Sequence, residues 1–139
     1  MTLSPGTRIL VVDDSSSVRA VLESHLRRLG FKDVRSAAAV DEAIAIFREQ
    51  EPRLVFLDLV IGGGSGLDFA AVALEEKPFT TIVVVTALPR GHEDVVSAFA
   101  EGVQEYLPKP ARFAAVRDVV LHLGRVEEQE KEHEAPDYV

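Results

Sequence analysis

Three short runs of Val, Ile and Leu constrain this chain most: RILVVDD (8–14), LVFLDLV (54–60) and TIVVVTA (81–87). None alternates with polar residues. A strand with one wet face alternates, whereas a strand covered on both faces does not. Such strands belong in the interior of a parallel sheet. Each run also ends in, or just before, a side chain that can do chemistry: Asp13 and Asp14, Asp58, and Thr86.

The segments between them carry helical spacing. Val18, Val21, Leu22, Leu26 and Leu29 recur at 3.6-residue intervals, and Gly30 caps that helix. DEAIAIFREQ (41–50) forms a second helix, stopped by Pro52. Ser65, with Asp68 three residues on, reads as a capping box opening a third that runs to about Lys77. HEDVVSAFAEG and RFAAVRDVVLHLGRV supply the fourth and fifth, the last ending near Val126. A weaker strand, DVRSA (33–37), and a final one, VQEYLPK (103–109), complete five β-α units. This alternation predicts an α/β fold, a doubly wound parallel sheet with helices on both faces. For five strands the expectation is the flavodoxin-like (βα)5 order 2-1-3-4-5.

At 139 residues one domain is expected. Residues 1–126 form the folded unit and 127–139 an acidic tail or linker, which reads as a solvated helix end or a disordered stretch, with some continuation of the fifth helix allowed. From Arg125 on there are six acidic and two basic residues, a net of −4 out of the chain's formal −8. That charge argues against nucleic acid as a direct partner. There is no cysteine for disulfides or thiolate metal sites, which suits a reducing cytosol. No stretch reaches the ~20 apolar residues of a membrane span, and MTLSPGTR lacks a signal-peptide core. A cytoplasmic location without membrane insertion is expected.

Ligands of open α/β sheets bind beyond the carboxyl ends of the strands, where the strand order reverses. The expected topology gathers Asp13, Asp14, Asp58, Thr86 and Lys109 there. Two like charges about 4 Å apart cost roughly 4 kcal/mol at an effective dielectric near 20. Three carboxylates therefore need counter-charge, which Lys109 supplies in part. A hard divalent cation such as Mg²⁺ suits the remainder. A carboxylate can attack phosphorus, and phosphoryl transfer then asks chiefly for positioning and charge neutralisation. Thr86 can hydrogen-bond a phosphoryl oxygen. On residue type alone, Thr86 and Tyr106 equally suit plain strand packing.

The glycines after Asp58 fail the nucleotide-loop patterns. No lysine follows Gly66, and the dinucleotide pattern begun at Gly62 or Gly64 ends on Leu67 or Phe69. The four histidines show no ligand spacing and read as surface residues.

The motifs VVDDSSSVRAVL, LVFLDL, SGLD, VVVTA and EGVQEYLPKP, in this order, resemble the receiver domain of two-component response regulators, from about Arg8 to Val126. The resemblance implies Asp58 as phosphoacceptor, with Asp13, Asp14, Asp58 and the Val60 carbonyl as Mg²⁺ ligands. Lys109 becomes the phosphoryl-contacting lysine, and Thr86 and Tyr106 a coupled switch. Pro110 would follow a cis peptide bond that aims Lys109 into the crevice. The implied phosphodonor is a histidine kinase or histidine phosphotransfer protein, docking near helix 1. The implied output is the surface of helix 4, strand 5 and helix 5, read by a downstream protein. Single-domain, chemotaxis-type regulators have this extent, as would a receiver excised from a hybrid histidine kinase or multidomain regulator. Such a domain phosphorylates itself without a turnover substrate, so the chain is not expected to be an enzyme. Phosphatases of the haloacid-dehalogenase type want a second Asp where Val60 stands. A binding module with a degenerate site would not retain the complete acid set.

Two departures carry expectations. Gly62 stands where the family commonly has proline, so the loop should be loose and Gly62→Pro should tighten Mg²⁺ binding. Val60 and Leu88, flanking the phosphoryl group, cannot orient a hydrolytic water, so a long-lived acyl phosphate is expected. On helix 5 the core stripe is Phe113, Val116, Val119, Val120 and Leu123, with Leu121 on the far side.

Overall fold

The structure, a computed structural model, describes residues 3–134, and side chains up to residue 124. Five strands, β1 (Arg8–Val12), β2 (Asp33–Ala37), β3 (Leu54–Leu57), β4 (Thr81–Thr86) and β5 (Glu105–Pro108), form one parallel sheet in the order β2-β1-β3-β4-β5. Five helices alternate with them: α1 (Ser16–Arg28), α2 (Val40–Gln50), α3 (Gly66–Glu76), α4 (Glu93–Glu101) and α5 (Phe113–Glu134). The order is the expected flavodoxin-like one.

The non-alternating runs now have their reason. On β1, Leu10 and Val12 enter one core while Ile9 and Val11 enter the other. On β3 the same division puts Val55 and Leu57 opposite Leu54 and Phe56, and on β4 Ile82 and Val84 opposite Val83 and Val85. The first core is closed by α2, α3 and α4, with Phe47 edge-on to Phe69 at 5.7 Å between ring centres. The second is closed by α1 and α5 through Leu22, Leu26, Val116, Val120 and Leu123. Strand β2 lies at the sheet edge and mixes exposed with buried positions, which is why its sequence signal was weaker.

Helix boundaries follow local chemistry. Ser15 caps α1 by accepting from the Val18 amide, and Gly30 after it takes φ 103°. Ser65 caps α3, but its hydroxyl accepts from Leu67, not from the Asp68 amide of a capping box. His92 caps α4 with Nδ1 accepting from the Asp94 amide. Between β3 and α3 lies a two-residue hairpin, Val60–Ile61 against Gly64–Ser65. It is too short for a periodicity signal. Helix α5 runs past the expected end at 126 to Glu134, so part of the expected acidic tail is helical; residues 135–139 lie outside the described residues. Glu, Gln and Lys in this stretch are good helix formers. No helix among the described residues is long and apolar enough to cross a membrane.

Candidate functional site

Strands β1 and β3 are neighbours with Val12 opposite Leu57, so the residues that follow them, Asp13 and Asp58, emerge side by side. The ladder continues one step beyond: the Asp13 amide donates to the Ala37 carbonyl and the Asp58 amide to the Val12 carbonyl. Backbone pairing thus fixes where both carboxylates begin. Asp13, Asp14 and Asp58 each offer an oxygen within 4.8 Å of the others. Asp13 and Asp58 are buried and Asp14 is exposed.

Lys109 reaches this cluster from the loop after β5. Its Nζ lies 2.7 Å from Asp13 Oδ2 and 2.7 Å from Asp58 Oδ2. Burial pulls the lysine pKa down, but the two carboxylates of Asp13 and Asp58 beside the ammonium outweigh it, and the net direction is upward. The ammonium therefore stays charged. The Lys109–Pro110 peptide bond is cis. Thr86, at the end of β4, is fully buried; its Oγ1 accepts from the Leu88 amide, and its carbonyl accepts from the Lys109 amide.

Backbone amides hold the acids as well. Asp13 Oδ1 accepts from Ser15 N at 2.9 Å, Asp58 Oδ1 from Val60 N at 3.2 Å, and Asp14 Oδ2 from Gly62 N at 2.9 Å. Gly62, in the loop expected to be loose, is tied directly to a site carboxylate. Arg19 on α1 donates to the Asp13 carbonyl at 2.7 Å. None of the donors Ser15, Gly62 and Arg19 was expected. A backbone amide has no residue-type signature, and Arg19 is one arginine among many.

The set fits a hard cation. Three carboxylates face one ammonium. Asp13 Oδ2 is buried and, although close to Lys109 Nζ, has no donor aligned for a hydrogen bond. Oxygen-only donors of this kind suit Mg²⁺ or Ca²⁺ over softer ions.

Tyr106 lies apart from the acids. Its hydroxyl donates to the Leu88 carbonyl at 2.7 Å, and the Arg90 guanidinium lies 4.6 Å over its ring. Leu88 links it to Thr86, its amide binding one and its carbonyl the other. The Val60 side chain is largely exposed, and Leu88 is half-buried. Beside Lys109, a cavity of about 360 Å³ opens between α1 and the loop into α5, lined by Ser17, Val18, Val21, Leu22, Pro110 and Ala111.

The family model described as "Response regulator receiver domain" matches residues 9–121. The chain belongs to this family. Among curated relatives, the phosphate regulon transcriptional regulatory protein PhoB of Klebsiella pneumoniae is 36% identical over 104 residues, covering 74% of this chain and 45% of that protein. A protein-glutamate methylesterase/protein-glutamine glutaminase of Cereibacter sphaeroides is 32% identical over 111 residues, covering 78% of this chain and 30% of that protein. The receiver domain of NtrX from Brucella abortus superposes with a TM-score of 0.76 at 28% identity, covering 84% of this chain and 98% of that one. A CheY-like receiver domain protein from Methanospirillum hungatei shares the fold, with a TM-score of 0.81 at 24% identity, covering 91% and 98%.

The receiver domain spans less than half the length of these curated relatives. The expectation that the chain is not an enzyme is corrected by two of them. Both are named protein-glutamate methylesterase/protein-glutamine glutaminase, so a receiver domain does not set its protein outside the enzymes. The reason is physical: the β-α unit carries its own site, and any catalytic function of such a protein can lie elsewhere in its length.

Proposed function

We propose that this receiver domain takes a phosphoryl group onto Asp58 from a histidine kinase or histidine phosphotransfer protein. The observation that carries the reading is the convergence of Asp13, Asp14, Asp58 and Lys109 at the carboxyl ends of β1, β3 and β5. Asp13, Asp14, Asp58 and the Val60 carbonyl would hold Mg²⁺, which when bound would neutralise charge on the phosphoryl oxygens. An Asp58 carboxylate oxygen attacks phosphorus, the phosphorus–nitrogen bond of the donor breaks, and the imidazole leaves. Lys109 moves its ammonium from Asp58 to a phosphoryl oxygen, and Thr86 turns its hydroxyl to another. The apolar cavity beside Lys109, bounded by α1, supports docking of the donor there.

Thr86 and Tyr106 both bind Leu88, which supports a switch passing from the crevice to the α4–β5–α5 surface. Val96, Phe99 and Leu121 are exposed apolar side chains on α4 and α5 and suit a downstream protein target. The net charge of −8 favours protein over nucleic acid as the direct partner. Residues 1–126 form the receiver unit and 127–139 an acidic continuation. This is cytoplasmic signalling chemistry. The greater length of the relatives favours a second reading, a receiver within a hybrid kinase or multidomain regulator, with the same chemistry at Asp58.

Incubation with acetyl phosphate and Mg²⁺ followed by intact mass tests the reading. Wild type gains one phosphoryl mass and Asp58→Asn gains none. Equal gain in both would refute Asp58 as acceptor. Following the adduct over time reads its lifetime beside Val60 and Leu88.

A further inference from the structure

Each of the three acids rests one carboxylate oxygen on a backbone amide, and the amides differ in what fixes them. Ser15 and Val60 each lie two residues after the acid they donate to, so both bonds are local in sequence. Gly62 is different. It lies in the hairpin turn between Val60–Ile61 and Gly64–Ser65, 48 residues along the chain from its acceptor Asp14. Gly63 beside it takes φ 78°, the conformation needed at the third residue of a type II turn.

Asp14 is also the acid most in need of holding. Asp13 and Asp58 are buried, and each has an oxygen on Lys109. Asp14 is exposed, and the Gly62 amide is the partner that the described hydrogen bonds give its side chain. Without it, repulsion from two neighbouring carboxylates would turn Asp14 out toward water. The bond occupies Oδ2, and none of the described hydrogen bonds reaches Oδ1. A Cβ on residue 62 would lie 3.2 Å from that same Oδ2, so a side chain here crowds the contact.

We propose that the Gly62 amide is a positioning group that holds Asp14 in the acid cluster, leaving Oδ1 to face a divalent cation. The proposal rests on the Mg²⁺ reading above. It reverses the direction expected from backbone stiffness alone. Proline at 62 restricts the turn but has no N–H, so it removes the donor that the described hydrogen bonds give Asp14.

Two measurements test it. Calorimetric Mg²⁺ titration compares wild type, Gly62→Ala and Gly62→Pro, each checked for folding by circular dichroism. Gly62→Pro weakens binding about 5- to 10-fold, the loss of a charge-assisted hydrogen bond. Gly62→Ala, which keeps the N–H, stays within about threefold. Equal or tighter binding by Gly62→Pro overturns the proposal. Absence of binding by wild type overturns the Mg²⁺ reading and the cation part with it. In metal-free protein, the Gly62 amide proton resonance moves upfield in Asp14→Ala. An unmoved resonance overturns the hydrogen bond itself, whatever the metal does.

Discussion

Lys109 is the counter-charge on which the metal-free site depends, placed 2.7 Å from an oxygen of Asp13 and of Asp58. Both acids are buried, so neither can turn to water if the ammonium is lost. Removing one partner of a buried ion pair costs about 3–5 kcal/mol. Lys109 keeps some exposure, which places the expected loss for Lys109→Met at the lower end, about 3 kcal/mol. Mg²⁺ recovers part of that loss, because a divalent cation neutralises the same oxygens. Urea midpoints with and without Mg²⁺ check this; an unchanged midpoint without metal would show that Lys109 is not the stabilising charge. The acids that meet here were legible in the sequence, since strand ends fix where Asp13, Asp14 and Asp58 emerge. The amides of Ser15, Val60 and Gly62 were not. Every residue but proline has an N–H, and only the folded loop says where it points.

Helix α3 begins so close to the phosphoacceptor strand that its first residue has no room for a side chain. A Cβ on Gly66 would collide with the Asp58 carbonyl oxygen and lie 2.9 Å from Leu59 Cα. The Gly66 amide also donates to the Leu59 carbonyl. Nothing nearby is a flexible side-chain tip that could yield, so Gly66→Ala must move α3 or the Asp58 loop. Overpacking of this kind costs about 1–3 kcal/mol, and phosphorylation by acetyl phosphate slows because Asp58 shifts from Lys109. Gly91→Ala is the control, since its Cβ would meet nothing within 4 Å; its stability stays within about 0.5 kcal/mol of wild type. Comparable urea midpoints for the two variants would refute the close seating of α3. The motif SGLD marked the start of this helix, but the reason for its glycine is contact with a strand end, which no helix rule contains. The same limit explains α5. Its acidic end reads as a solvated tail by charge, whereas local propensity carries the helix on to Glu134.

The fold as a whole was legible because β1, β3 and β4 are apolar at successive positions and so must be covered twice, and few topologies do that with five β-α units. The length of the relatives, and the enzymes among them, were not, because nothing inside a receiver unit depends on what it is joined to. One whole-molecule property does bear on the site: a formal charge of −8 on a small domain. Any salt that screens this charge relieves self-repulsion in the folded state. Mg²⁺ bound at the acids stabilises in a second way, by binding the folded state alone. At a concentration ten times its Kd the gain is about 1.4 kcal/mol, a rise in Tm of roughly 3–5 °C for a domain of this size. The two effects separate when melts in MgCl₂ are set against NaCl of equal ionic strength, for wild type and Asp14→Asn. Site binding predicts a rise in wild type that NaCl does not reproduce and Asp14→Asn largely lacks. A rise shared by both salts and both proteins would assign the stabilisation to screening and remove the cation from the crevice.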